Sequence, residues 1–333
     1  MRYFSYLPRS LAAAAALLLV AGIATPAAAQ KVQFKAATQA SPGADMYLIL
    51  QKLKELAEQR SGGNITVNIF HSSQLGSQQQ MQEQVVLGVT EMVTSPSQVV
   101  ELEPKYGLFD FPFLFADRAH AYRVLDGEIG QQLSEAMVKG KGVRAIAYGE
   151  LGFRQITNRV RPIMTADDLR GLKIRVPPSR FRTAVFAALD AAPTTIDYKE
   201  LYGALQQGVV DGQENPLTAF QEKSMWEVQK YISITNHVFT PAVLLVNERW
   251  WRGLSPQNRD VLQASAKDAA LWQRAEMERM EQSLIKDFEA RGVKVDRPQL
   301  DSFVTRTRGV WKQFESQVGA DLVEAAVKAR SGS

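Results

Sequence analysis

From Ser255-Pro256 to Ala290 nothing in the sequence interrupts helical spacing. A serine followed by a proline at the first helical position is a start signal. The 35 residues that follow make a rod of roughly 50 Å at 1.5 Å per residue. That exceeds the usual width of one domain. A chain containing such a helix is expected to fold as two packed bodies, with the rod crossing both as a shared strut. The 333 residues are enough for two domains with well-buried cores.

The rest of the chain predicts α/β bodies. Residues 32–38 read as a strand, and "ADMYLILQKLKELAEQRSGG" has helical spacing with Met46, Ile49, Leu53 and Leu56 on one face. Gly62-Gly63 stops that helix. Ile65, Val67 and Ile69 alternate as a second strand, "GSQQQMQEQVVLG" is a second helix, and residues 91–94 are a short third strand. Strand–helix–strand order implies parallel pairing with helices on the faces. Residues 143–148 form another strand. The aromatic run "FDFPFLFAD" (109–117) is ordinary core, or lends one ring to a cleft.

The second half repeats the pattern. Thr165 with Asp168, and Asp197 with Glu200, are spaced as capping boxes, so the adjacent Asp167 and Asp168 read as helix-start residues and not as an acid/base pair. Gly208 ends the helix after Asp197, and residues 209–211 lead into a strand. Residues 301–330 read as amphipathic helix.

The first 29 residues differ from the remainder. Arg2 and Arg9 are their only charges, residues 11–23 are an apolar run, and Ala27-Ala28-Ala29 is a small-residue cleavage pattern. This predicts a secretory signal peptide cut before Gln30. A membrane anchor is the weaker reading, because the run is short for a span. Without this segment, Lys and Arg number 37 against 35 acidic residues, a net charge of +2. No basic surface for nucleic acid or anionic lipid is indicated. The chain has no cysteine, which removes thiolate nucleophiles and cysteine metal sites. An exported, cysteine-free chain suits a bacterial periplasm.

No catalytic constellation stands out. His71, His120 and His237 lack a second histidine at metal spacing. There is no nucleophile elbow, phosphate-binding glycine loop or calcium loop. What the chain offers is polar residues at segment ends, which suits binding without reaction, with no cofactor and no metal.

Three such features fall between residues 150 and 216. "GELGFRQITN" places Arg154 after a glycine-rich turn. "LKIRVPP" places Arg175 at a strand end, just before Pro177-Pro178 forbids further ladder hydrogen bonds. "DGQENP" places Asn215 beside a proline. A guanidinium is a permanent charge with a planar fork that fits a carboxylate, and an asparagine donates to the same group without adding charge. Strand ends in parallel sheets are where ligands bind. Spacing alone does not separate Arg154 and Arg175 from Arg159, Arg161, Arg180 and Arg182, which read as surface charges or internal ion pairs.

The chain resembles the solute-binding proteins of tripartite ATP-independent periplasmic (TRAP) transporters. The resemblance runs through "SSQLGS" (72–77), "FPFLF" (111–115), "FRQITNR" (153–159), "DLRGLKIRVP" (168–177), "ELYGALQQGVVDGQENP" (200–216) and "VQKYISITNH" (228–237). It implies a monomeric, two-lobed periplasmic-binding-protein fold with a central β-sheet in each lobe flanked by helices. The domains are discontinuous: 30–150 with 241–280, and 151–240 with 281–333. It implies a periplasmic carrier that closes on an organic acid and hands it to small and large membrane permease subunits.

By the same resemblance, Arg175 forms the principal carboxylate salt bridge, Arg154 assists, Asn215 completes the grip and Tyr198 walls the pocket. Gln78 and Ser95 face the rest of the ligand from the other lobe. Sialic-acid-binding relatives carry acidic residues near those two points, so sialic acid is disfavoured. Glu150 and Gln39 are candidates to bond hydroxyls of a uronate or other hydroxy acid, and a C4-dicarboxylate is a further candidate ligand. Two other functions fit the same acid site: a sensory protein presenting its ligand to a receptor kinase, and a periplasmic enzyme.

Overall fold

A computed structural model describes Met1, Tyr3 and residues 31–331. Apart from Met1 and Tyr3, the segment expected to direct export, with its cut before Gln30, lies outside the described residues.

The first three strand segments form β1 (Val32–Ala37), β2 (Ile65–Phe70) and β3 (Met92–Ser95), connected by α1 (Asp45–Arg60) and α2 (Gln78–Leu87). β1 pairs parallel with both β2 and β3. α1 turns Met46, Ile49, Leu50, Leu53 and Ala57 inward. α2 opens on a capping box of Ser77 and Gln80 and closes at Gly88, whose φ of 75° suits only a residue free of Cβ strain. Short helical turns over 97–101 and 104–110, then α3 (Arg118–Asp126) and α4 (Glu128–Lys141), lead to β4 (Val143–Phe153).

After β4 the chain crosses into a second sheet. It contains β5 (Gln155–Asn158), β6 (Lys173–Val176), β7 (Ala192–Thr195), β8 (Gly212–Asn215), β9 (Tyr231–Ser233) and β11 (Lys294–Asp296), ordered β11-β9-β5-β8-β6-β7. α5 (Arg180–Ala188), α6 (Leu201–Gln207) and α7 (Leu217–Glu222) lie between these strands in sequence. β10 (Phe239–Asn247) then returns to the first sheet, ordered β2-β1-β3-β10-β4.

The parallel pairing expected of the first strand–helix–strand unit holds for β1, β2 and β3, and this return adds an antiparallel strand to that sheet. β10 runs antiparallel to β3 and β4. The chain leaves the first sheet at Phe153 and re-enters at Phe239, which is paired with it; a strand that starts where its neighbour ended must run the other way. β5 is likewise antiparallel to β8 and β9.

α8 (Glu248–Gly253) precedes α9 (Pro256–Ala290), which is one unbroken helix of 35 residues capped by Ser255. It packs on α1 and β4 at one end and on α7 and β11 at the other, so the strut crosses both lobes. α10 (Asp301–Val318) packs on α5 and on residues 104–110, and α11 (Ala320–Lys328) reaches α4. The run 109–117 is core: Phe109, Phe111 and Phe115 are buried against Phe181, Phe239 and Trp311 among others. Asp168 accepts hydrogen bonds from the Thr165 amide and hydroxyl. Asp197 opens its helical turn without a side-chain cap.

Candidate functional site

β6 lies between β7 and β8 and is parallel to both, with Arg175 beside Thr194 on one side and Gln213 on the other. Pro177 follows within two residues, so Arg175 sits at the carboxyl end of parallel strands. Its Nε donates to the Ile196 carbonyl at 2.8 Å. Its Nη2 is buried and has no hydrogen-bond partner. The side chain makes no salt bridge among the described residues, although it is only 1% exposed. Burial, reinforced by the nearby Arg154, lowers its pKa to about 10, which still leaves it cationic at neutral pH. A buried donor without a partner costs about 1–3 kcal/mol, and more when it is charged.

Arg154 has the same charge in different surroundings. It is the one residue between β4 and β5, and its amide donates to the Val238 carbonyl at 2.9 Å, where the outgoing and returning crossings lie side by side. Its guanidinium pairs with Glu214, and Nη2 also donates to Asn215 Oδ1 at 2.8 Å. Glu214 is paired in addition with Arg182 at 2.7 Å. Burial would raise the Glu214 pKa, but Arg154 and Arg182 outweigh it and hold the carboxyl well below its usual range. Arg182 is fixed a second time by Asp110 at 2.8 Å. It is thus an internal ion pair, whereas Arg180 is exposed.

A narrow cleft between the lobes is lined by Arg175, Arg154, Asn215, Tyr198, Gln39 and Pro177. These come from distant parts of the sequence and include five of the eight expected site residues. The other three lie outside that lining. Gln78 donates to the Thr94 carbonyl at 2.9 Å and Ser95 accepts from Gln82 at 2.9 Å; both are committed to the contact of α2 with β3. The turn that follows Ser95 does reach the cleft, through Pro96, Ser97 and Gln98. Glu150 is held by Arg118 at 3.0 Å and by the Tyr122 hydroxyl at 2.6 Å, beside α9 and away from the cleft.

Sequence reasoning missed Asp45 and Glu222, which also line the cleft. Asp45 opens α1 and Glu222 closes α7, so one comes from each lobe. Glu222 accepts from the Ser41 amide at 2.9 Å and from the Tyr198 hydroxyl at 2.8 Å, and so ties the lobes together. Neither carboxyl is in a salt bridge among the described residues. Asp45 is 2% exposed, and burial together with Glu222 pushes its carboxyl up to about 7. Glu214 was also missed, though it adjoins Asn215 in the quoted motif.

His237 is buried, bonded to Thr235 and Glu214, and burial lowers its pKa. No group of three or more His, Cys, Asp or Glu among the described residues could hold a metal. No helix there is long and apolar enough to cross a membrane.

Residues 36–317 match the family described as bacterial extracellular solute-binding protein, family 7. The chain is 34% identical over 318 residues to the 2,3-diketo-L-gulonate-binding periplasmic protein of Escherichia coli, covering 92% of this chain and 96% of that protein. It is similar to a solved TRAP periplasmic solute binding protein from a Polaromonas species bound to D-erythronate, with 32% identity and a TM-score of 0.86 over 89% of this chain and 98% of that one. It is also similar to the sugar acid binding protein of Advenella mimigardefordensis in complex with galactonate, with 29% identity and a TM-score of 0.87 over 91% and 99%.

Proposed function

The chain belongs to family 7 of the bacterial extracellular solute-binding proteins, the TRAP solute-binding family, and from that premise we propose that it captures an organic acid by closing Arg175 onto the acid's carboxylate. The observation that carries this reading is the unpartnered Nη2 of a buried guanidinium in the cleft. An incoming carboxylate supplies the missing partner in a geometry that a guanidinium fork accepts. Arg154 is already neutralised by Glu214, so it steadies the carboxylate without adding a second free charge. Asn215, held by Arg154 and Gln213, sets the angle of approach, and Tyr198 walls the space.

The moving bodies in this proposal are 30–150 with 241–280, and 151–240 with 281–333. A ligand touching both favours the closed state over the open one by the difference in its contacts, and that difference shifts the population. The closed protein then delivers the acid to the small and large permease subunits. Export through residues 1–29 belongs to the same proposal, as does the absence of any catalysed reaction.

A thermal-shift screen of organic acids identifies the ligand, since 100 times its Kd adds about 2.7 kcal/mol of stability. Calorimetry with that acid then tests Arg175. Removing one partner of a buried charge pair costs about 2–5 kcal/mol, so Arg175→Ala should lower affinity roughly 30- to several-thousand-fold. Arg175→Lys should also fail, because a point charge does not replace the fork. Arg180→Ala should leave binding unchanged. Equal losses from Arg175→Ala and Arg180→Ala would refute the assignment.

A further inference from the structure

The charges lining the cleft are unevenly matched. Arg154 is neutralised by Glu214 outside the lining, which leaves Arg175 as the cation available to a ligand. Against it stand two carboxyl groups with no cationic partner, Asp45 and Glu222. Lys223 stacks over the Tyr198 ring at 4.7 Å and is not part of the lining. A third acceptor joins them: Gln98 lines the same cleft at 3% exposure, and its side-chain oxygen has no hydrogen-bond partner. Glu222 already accepts from Ser41 and Tyr198 and Asp45 from the Met46 amide, but a carboxylate oxygen has a second acceptor site, so these groups can take further donors beside the unpartnered Gln98 oxygen.

We propose that Asp45, Glu222 and Gln98 are specificity-determining residues that admit a ligand's hydroxyl groups and reject a second carboxylate, so that the ligand is a hydroxylated monocarboxylate of the aldonate or uronate kind. This rests on the carboxylate at Arg175. A hydroxyl donates to a carboxylate or an amide oxygen. A second carboxylate at the same place would meet the like charge of Glu222 in a water-poor cleft. Because Asp45 comes from one lobe and Glu222 from the other, hydroxyls that satisfy both also favour closure.

The test is calorimetry on the mature protein with three pairs that differ in one terminal carbon: D-erythronate with meso-tartrate, D-galactonate with galactarate, and D-glucuronate with D-glucarate. At least one monocarboxylate should bind, and bind at least tenfold tighter than its dicarboxylate, a difference of about 1.4 kcal/mol. Glu222→Gln should narrow that ratio by relieving the dicarboxylate, and Asp45→Asn should narrow it less, because that carboxyl is already pushed up to about 7. A dicarboxylate that matches or beats its partner, with binding lost in Arg175→Ala, overturns this inference and leaves the carboxylate reading intact. Failure of all three monocarboxylates to bind also overturns it. Erythritol or galactitol binding as tightly as the acids overturns the carboxylate reading itself.

Discussion

Arg175 and Arg154 carry one charge each in a single cleft, and their surroundings give them different tasks. Arg175 is unpaired and fit to receive; Arg154 is paired with Glu214 and fit to hold. The family motifs around residues 154, 175 and 215 made these positions legible, since spacing alone did not separate these arginines from their neighbours. Asp45 and Glu222 were hidden because an acidic residue in the first turn of a helix reads as a dipole partner, and one in a polar stretch such as "FQEKS" reads as surface. Asp45 gives a pH prediction. Its carboxyl, pushed up to about 7, holds its proton more tightly folded than unfolded, where the value is about 3.9. Its contribution to stability is therefore present below that unfolded value and lost as pH rises through about 7. Ligand-free Asp45→Asn should melt higher than wild type near pH 8, with the gap closing toward pH 4. Parallel melting curves of the two proteins check this, and a variant that melts lower at pH 8 would contradict it.

At the level of elements, the periodic segments were readable and the pairings were not. α1, α2 and α9 follow from spacing and stop signals carried within each segment. The antiparallel β10 and the sheet order depend on where the chain re-enters after about eighty residues elsewhere, which no local pattern encodes. β8 shows how an element fixes the site. It pairs with β5 and β6 and carries Glu214 and Asn215, and it starts at Gly212. A Cβ there would lie 2.2 Å from the Thr157 carbonyl oxygen. Gly212→Ala should therefore cost about 1–3 kcal/mol by overpacking, and should also weaken ligand binding by displacing Glu214 from Arg154. Gly203, inside α6, has open space around its Cβ position, so Gly203→Ala should be neutral or stabilise by up to about 1 kcal/mol. Urea unfolding of both variants, with calorimetry on the first, reads these effects.

For the whole molecule, the proposed function requires two lobes that separate and meet across one cleft. The two backbone crossings at Arg154 and Val238 and the helix α9 connect them, and in this proposal the lobes turn about these connections. Arg182 secures the region near the crossings by pairing α5 with Asp110 and Glu214, while the Ser41–Glu222 contact joins the lobes at the cleft. The absence of cysteine allows spin labels at chosen points. Gln79 and Thr195 are exposed and line one groove, one on α2 and the other at the end of β7. With labels at Gln79→Cys and Thr195→Cys, double electron–electron resonance measures the lobe separation directly. The expected result is a long distance without ligand, a short one with the acid found by thermal shift, and a long one when Arg175→Ala is added or when the acid is replaced by its primary amide. Closure that proceeds equally with the amide, or without Arg175, would contradict it.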